Sequence, residues 1–169
     1  MKHKPYPTLY QINTRAWLTD LSAEFGKDAT FDDIPDHALD GFKEKGFDWI
    51  WFLSVWTTGE AGKKISRNNP FWRREFEETL SDLQEEDIGG SGFAITDYHV
   101  HPGLGGDGAL KRLRERLTAR GLKLMLDFVP NHMGPDHSWV SEHPEYFISG
   151  TVEDLQNNPL NFTKITTQQ

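Results

Sequence analysis

The residues best suited to chemistry lie in one short run of the sequence. Asp127 falls within an alternating apolar segment, and Asn131 and His132 follow that segment directly. An ionised carboxylate in a covered strand is costly unless a hydrogen bond or an opposite charge compensates it. Asp127 therefore predicts a partner on a neighbouring strand, either an arginine or backbone amides. From these residues alone, a satisfied structural carboxylate and an ordinary surface histidine remain the simpler interpretations.

Three apolar segments have the patterns of strands that could position these residues. Residues 9–13 alternate apolar with polar and lead into Thr14 and Arg15, which predicts a strand followed by a polar loop. Residues 47–56 are almost continuously apolar, as expected of a strand covered on both faces. Residues 122–130 alternate strictly and predict the clearest strand of the chain.

The stretches between these strands have apolar residues at helical spacing. Apolar residues at helical spacing over 31–42, with Gly46 beyond them, predict a helix with one buried face. A second amphipathic helix is expected near 76–83, and a third over 110–117, closed by Gly121. The order of strand, helix, strand, long connection, helix and strand is that of a βαβαβ unit with parallel strands.

Two arrangements suit such a unit, an open doubly wound sheet and a closed barrel. A doubly wound sheet normally has a Gly-rich turn directly after its first strand, and residues 14–17 offer none. A (β/α)8 barrel places its chemistry in the loops after the strands, where the long loops of this chain lie, and needs about 250 residues. We therefore predict an α/β fold that is an incomplete TIM (β/α)8 barrel of about three βα units.

Several segments in order resemble the α-amylase family, glycoside hydrolase family 13. The run 127–132 looks like the first signature region of the family, which ends its third strand. Residues 92–98 are similar to the Gly-Tyr…Asp-Tyr segment of the family, and Leu104-Gly105-Gly106 precedes a helix as the corresponding family turn does. Residues 10–15 are similar to the first strand of the family. The resemblance covers nearly the whole chain.

The resemblance implies a division of the chain and a class of reaction. Residues 1–132 would form the first part of the catalytic barrel, and 133–169 would begin the insertion after the third strand. The family hydrolyses or transfers at α-glucosidic bonds, so an oligosaccharide or α-glucoside is the expected partner. Its nucleophile and acid/base, two carboxyls about 5–5.5 Å apart in retaining enzymes, come from later strands. We therefore expect an N-terminal fragment with no catalytic residue, inactive by itself.

The resemblance also assigns roles to individual residues. His132 would hydrogen bond the sugar in subsite −1, and Tyr98 would be a further substrate-binding residue. Phe93 would stack on that sugar in place of an aromatic that is commonly tyrosine, without the hydroxyl. Asp127 would brace the site from within the barrel. Asn131 would be a calcium ligand in those members that bind calcium, which is the only cofactor that the resemblance raises.

Composition disfavours several other classes of protein. The 169 residues carry a formal net charge of −8 and no cysteine, which argues against nucleic-acid binding and against disulfides or thiolate metal sites. No stretch approaches the roughly 18 consecutive apolar residues of a membrane span. The N-terminus lacks the apolar core of a secretory signal, so the cytoplasm is the expected compartment.

One rival interpretation is a metal-dependent barrel of the amidohydrolase type. The segment 97–103 also resembles the His-x-His motif of such barrels, in which His99 and His101 would bind zinc. Further ligands would then come from histidines later in the chain, namely His132, His137 and His143.

A second rival is a non-catalytic carbohydrate-binding fragment that uses tryptophans as sugar platforms. Trp49 and Trp51 lie within a predicted strand and are expected to pack in the core, so Trp139 is the better platform. For the predicted barrel fragment, strand edges left unpaired by the incomplete barrel predict self-association.

Overall fold

The computed structural model describes residues 6–159, 161, 162 and 164. Within these residues the strands are β1 (Leu9–Asn13), β2 (Trp49–Leu53), β3 (Trp56–Thr58), β4 (Ile95–Val100) and β5 (Lys123–Met125). The α-helices are α1 (Thr14–Phe25), α2 (Asp36–Glu44), α3 (Glu60–Asn68), α4 (Pro70–Thr79), α5 (Gly106–Ala119), α6 (Trp139–Glu142) and α7 (Val152–Asn157). Within this part of the chain, no helix combines the length and apolar character needed to cross a membrane.

The chain forms two compact units. The first contains residues 6–57 and 97–130, and the second contains residues 58–96 and the described residues from 131 onward. A three-stranded sheet in the order β1-β2-β5 lies in the first unit. Both strand pairings are parallel, with Leu9 opposite Trp49 and Trp49 opposite Lys123. The predicted α/β class and parallel strands are therefore confirmed.

Two of these strands are shorter than their apolar patterns predict. β2 ends at Leu53 because Ser54 adopts a left-handed conformation with φ of 63°, which cannot continue a strand. β5 ends at Met125, and the following residues bond to other groups instead of extending the ladder. The apolar patterns therefore overestimate both strands at their carboxyl ends.

The polar loop predicted after β1 is wrong, because α1 begins at Thr14. The side chain of Asn13 accepts a hydrogen bond from the backbone N–H of Ala16 and caps this helix. The helix predicted over 31–42 is also divided. A 3₁₀ turn occupies Phe31–Asp33, and α2 begins only at Asp36.

The long connection after β2 contains more regular structure than its sequence pattern predicts. It holds β3, α3, α4 and β4, and β3 pairs with β4 in a separate two-stranded sheet. α4 ends at Thr79, before the apolar residues that were expected to extend it.

A mixed aromatic and aliphatic core packs α1, α2 and α5 against the sheet of the first unit. Its fully buried side chains include Phe31, Leu39, Ile50, Phe52 and Leu113. The rings of Phe31 and Phe52 meet edge to face, with centroids 5.6 Å apart. Such pairs add to the free energy that apolar burial supplies.

A row of ion pairs, which we call the arginine–aspartate ladder, connects α5 and the residue that ends it, Arg120, with α2 and the turn before it. The pairs are Arg112–Asp32, Arg116–Asp36 and Arg120–Asp40, and the partners in each pair are 80 residues apart. Residues four apart share one helix face. Because both members of the pairs recur every four residues, the ladder fixes the register of α5 against its partner segment. Hydrogen bonds from Arg112 and Arg116 lower the pKa values of Asp32 and Asp36, respectively.

Candidate functional site

Asp127 is the centre of a hydrogen-bond cluster at the carboxyl end of the parallel sheet. One carboxylate oxygen accepts the indole N–H of Trp51 at 2.8 Å, and the other accepts the backbone N–H of Ser54 at 2.5 Å. Its carbonyl oxygen accepts the indole N–H of Trp56 at 2.9 Å. Asp127 is only 8% exposed, so these donors replace the water that burial removes. The predicted partner is therefore a backbone amide together with an indole.

The residues that hold Asp127 are not the ones that sequence patterns favour. Trp51 lies in β2, where its type and position predict core packing, yet its N–H serves a carboxylate. The amide of Ser54 faces Asp127 from a residue with positive φ. A serine gives no sign of that conformation, because Gly, Asn and Asp are the residues that usually adopt it. Both residues lie in the near-continuous apolar run 47–56, whose pattern predicts a covered strand and does not indicate either role.

Tyr98 belongs to an aromatic cluster next to Asp127. Its hydroxyl oxygen accepts the backbone N–H of Val129 at 2.8 Å, and its ring meets Trp56 edge to face. The ring of Phe128 stacks on Tyr98, with centroids 6.2 Å apart. Tyr98 is 43% exposed and Phe128 is 78% exposed. The first unit thus presents an open aromatic surface beside a fixed carboxylate.

Phe93, Asn131 and His132 lie in the second unit, and all three are exposed. Their two segments meet where the N–H of Gly134 donates to the carbonyl oxygen of Ile95 at 2.7 Å. Phe93 precedes Ile95 by two residues, as His132 precedes Gly134. Of the predicted site residues, Tyr98 and Asp127 are brought together in the first unit, and the segments of Phe93 and His132 are brought together in the second.

The similarity to known proteins decides which family these features belong to. The family model described as alpha amylase, catalytic domain, matches residues 36–164. The chain belongs to the α-amylase family. Within that family, the alpha-1,4-glucan:maltose-1-phosphate maltosyltransferase of Cereibacter sphaeroides is 33% identical over 144 residues, which cover 80% of this chain and 20% of that protein.

Other members of the α-amylase family give the same picture. The maltosyltransferase of the same name from Burkholderia pseudomallei is 30% identical over 168 residues, covering 95% of this chain and 13% of that protein. An α-amylase structure from Lactobacillus plantarum superposes with a TM-score of 0.58 at 26% identity, covering 86% of this chain and 27% of that one. The chain therefore spans about a fifth or less of these two relatives' length.

The described residues contain no cluster of side chains of the kind that holds a zinc ion. Among them, no group of three or more His, Asp or Glu side chains is placed to hold a metal ion. Calcium takes six to eight oxygen ligands, which include amide and backbone carbonyl oxygens as well as carboxylates, so the calcium role of Asn131 stays a prediction. The Nδ1 atom of His99 lies 2.7 Å from Asp107, and that of His101 accepts the N–H of Gly103. The zinc interpretation therefore has no support in this geometry.

The acidic run that follows α4 is an exposed turn. Glu85–Asp87 forms a short 3₁₀ turn, and its residues are exposed. Arg73 forms an ion pair with Glu85, and Arg67 donates to the carbonyl oxygen of Glu85. The acidic run is therefore part of the solvated surface, and it offers no buried carboxylate for catalysis.

Proposed function

We propose that this chain supplies the first part of a catalytic barrel that hydrolyses or transfers at α-glucosidic bonds. The observation that supports the proposal is the Asp127 cluster at the carboxyl end of β5, ahead of Asn131 and His132. Barrel enzymes build their active sites at this end of the parallel strands. We take residues 1–132 as the first part of the barrel and 133–169 as the start of an insertion, in a cytoplasmic enzyme.

The proposed roles follow from exposure and hydrogen bonding. His132 and Phe93 are exposed, so they can reach a ligand: the imidazole would hydrogen bond a sugar hydroxyl, and the ring would cover its C–H face. Tyr98 would contribute a second aromatic surface. Both carboxylate oxygens of Asp127 accept N–H donors, so a bracing role suits this residue better than a nucleophilic one.

The names of the relatives support α-glucans as the substrate class. The relatives from Cereibacter sphaeroides and Burkholderia pseudomallei are named for maltosyl transfer involving an α-1,4-glucan, and the Lactobacillus plantarum protein is an α-amylase. Neither a nucleophile nor an acid/base is assigned within the chain, so we expect the isolated polypeptide to bind such glucans without turning them over.

The test is isothermal titration calorimetry, in which maltoheptaose is titrated into the 169-residue chain. Replacing a hydrogen-bonding or stacking residue at the site, by His132→Ala or Phe93→Ala, should weaken binding roughly ten-fold. The matched controls His37→Ala and Phe71→Ala change exposed residues of the same types and should bind as the unsubstituted chain does. Equal affinities in all four variants would overturn the proposed site. Turnover of starch or maltose by the chain would overturn the proposed inactivity.

One observation favours the second candidate, a non-catalytic carbohydrate-binding role. Trp139 is 45% exposed and Tyr146 is 62% exposed, and their rings stand nearly perpendicular with centroids 5.6 Å apart. The ring of His143 stacks on one face of Tyr146. Such a corner offers one ring face to a sugar and a second ring to its edge. If maltoheptaose binding is lost in Trp139→Ala and kept in His132→Ala, this role replaces the first.

A further inference from the structure

The start of α3 is capped by a side chain from a distant part of the sequence. Its N-cap residue, Gly59, has no side chain to offer, yet the N–H of Ala61 needs an acceptor at this end. The carboxylate of Asp136 accepts that N–H at 2.9 Å. Asp136 therefore does for α3 what an N-cap side chain usually does from within the helix sequence. Its negative charge also suits the positive end of the helix dipole.

Two glycines make room for this contact. Gly59 has φ of −93° and ψ of 176°, which any residue can adopt, so its backbone does not require glycine. A Cβ atom at Gly59 would instead overlap the carboxylate of Asp136. At Gly134, a Cβ atom would lie 2.9 Å from Asp136 and 3.0 Å from the carbonyl oxygen of Ala94. The Asp136 carboxylate thus accounts for Gly59, and it restricts Gly134 together with the carbonyl oxygen of Ala94.

The same contact lies beside the segment that carries His132. Gly134, which is buried, donates its N–H to the carbonyl oxygen of Ile95, and the N–H of His137 returns to the carbonyl oxygen of Gly134. Asp136 lies between these two bonded residues and connects the segment to the start of α3. Asn131 and His132 directly precede this anchored turn.

We propose that Asp136 is a positioning residue, which holds the segment 131–134, and with it His132, against the starts of α3 and β4. The inference rests on the proposed function in one respect, namely that His132 contacts the sugar. The positioning of the segment stands independently of the ligand. Asp136 touches no substrate in this proposal and acts only through His132.

The test separates positioning from helix capping. Asp136→Ala should speed hydrogen exchange at the Gly134 amide roughly ten-fold, the effect of losing a cap-sized interaction. Adding Gly59→Ser gives α3 a new cap of its own, since serine is a preferred N-cap residue. The double variant should therefore recover amide protection in α3 while exchange at Gly134 stays fast. Recovery at Gly134 as well would overturn the proposal, because capping alone would then explain Asp136.

Further variants keep the result interpretable. Asp136→Asn retains an oxygen that can accept the N–H of Ala61, so exchange at Gly134 should be intermediate in this variant. The asparagine variant also provides the measurement if the alanine variant fails to fold. Asp154→Ala removes a capping carboxylate from α7 in the same unit and should leave Gly134 unchanged. Unchanged Gly134 exchange in the Asp136 variants, or a change as large in Asp154→Ala, would contradict the proposal.

Maltoheptaose titration provides the functional measurement. In the double variant, affinity should stay roughly as weak as in His132→Ala, because the segment is still released. Restored affinity in the double variant would overturn positioning. If the unsubstituted chain binds no maltoheptaose, the proposed function fails, and the exchange measurements alone decide the role of Asp136.

Discussion

At Asp127, the two carboxylate oxygens and the main-chain carbonyl oxygen each accept a hydrogen bond from a different residue. Two of these donors are indole groups, and the third is the amide of Ser54. A buried donor that loses its acceptor keeps the cost of desolvation without the compensating bond. The N–H groups of Trp51 and Ser54 are therefore both satisfied only by a side chain with two acceptor oxygens.

The first prediction tests that dependence. Asp127→Asn places an NH2 group against either the indole N–H of Trp51 or the amide of Ser54, so one buried donor loses its acceptor. We expect the free energy of unfolding to fall by about 1–3 kcal/mol. Chemical denaturation measures it, with the exposed Asp82→Asn as the matched control. Equal losses in both variants would show that the Asp127 bonds contribute little.

A second prediction at the residue scale concerns His99. A hydrogen bond to Asp107, and then the charge of Asp97, raise the pKa of this imidazole above its ordinary value of 6.5. The interaction therefore stabilises the fold fully below the unfolded pKa and is lost as pH rises through the folded pKa. Asp107→Asn should lower the His99 pKa in an NMR titration, whereas Asp28→Asn should not. An unchanged His99 titration in Asp107→Asn would refute the pairing.

Residue types in the sequence disclose some of these features and conceal others. A carboxylate in an apolar strand predicts its own need for donors, and Asp127 has them. A backbone amide was among the predicted donors, but the residues that donate could not be named, because the left-handed Ser54 and the orientation of the Trp51 indole are set by tertiary packing. Gly59 and Asp136 are 77 positions apart in the numbering, and nothing local in either segment reveals that one makes room for the other.

At the scale of elements, the arginine–aspartate ladder shows how exposed charges can gain structural weight. Isolated surface ion pairs contribute about 0–1 kcal/mol. Arg116 differs because its side chain is only 26% exposed and also donates to the carbonyl oxygen of Ile34. Arg116 therefore donates hydrogen bonds both to the turn before α2 and to the carboxylate of Asp36. Helical periodicity predicted α5 correctly, whereas the aspartates that pair with its arginines lie 80 residues earlier in the chain, where no local pattern reveals them.

The third prediction follows from this difference within one helix. Arg116→Ala removes the ion pair and the bond to Ile34, and we expect a loss of about 1–3 kcal/mol in the free energy of unfolding. Arg114→Ala, at an exposed position of the same helix, should change it by no more than about 0.5 kcal/mol. Urea denaturation at low salt measures both. A smaller loss for Arg116 than for Arg114 would contradict the structural weight given to the ladder.

At the scale of the whole molecule, the sheet of the first unit is open. Within the described residues, β1 and β5 each pair with β2 and with no other strand. Unpaired edges present N–H and C=O groups that can template pairing with another chain. Apolar side chains on these edges, such as Leu9, which is 43% exposed, favour such contacts.

The fourth prediction is that the isolated chain self-associates through these edges. Its apparent mass in size-exclusion chromatography with light scattering should rise with concentration. Leu9→Lys places a charge on the β1 edge and should shift the chain toward the monomer. Ile65→Lys alters a similarly exposed residue on α3 and should not. A monomer at all concentrations with cooperative unfolding would show instead that the chain is a self-sufficient domain.

The constant 80-residue separation in the ladder has a consequence for how the chain can change length in evolution. An insertion of one residue between Asp32 and Asp40, or between Arg112 and Arg120, rotates part of one element by about 100° and takes later pairs out of register. An insertion between α2 and α5 changes the separation of all three pairs equally and leaves their spacing within each element intact. Homologous chains that keep the ladder should therefore vary in length in the connection, while the residue count inside both of its ends stays fixed.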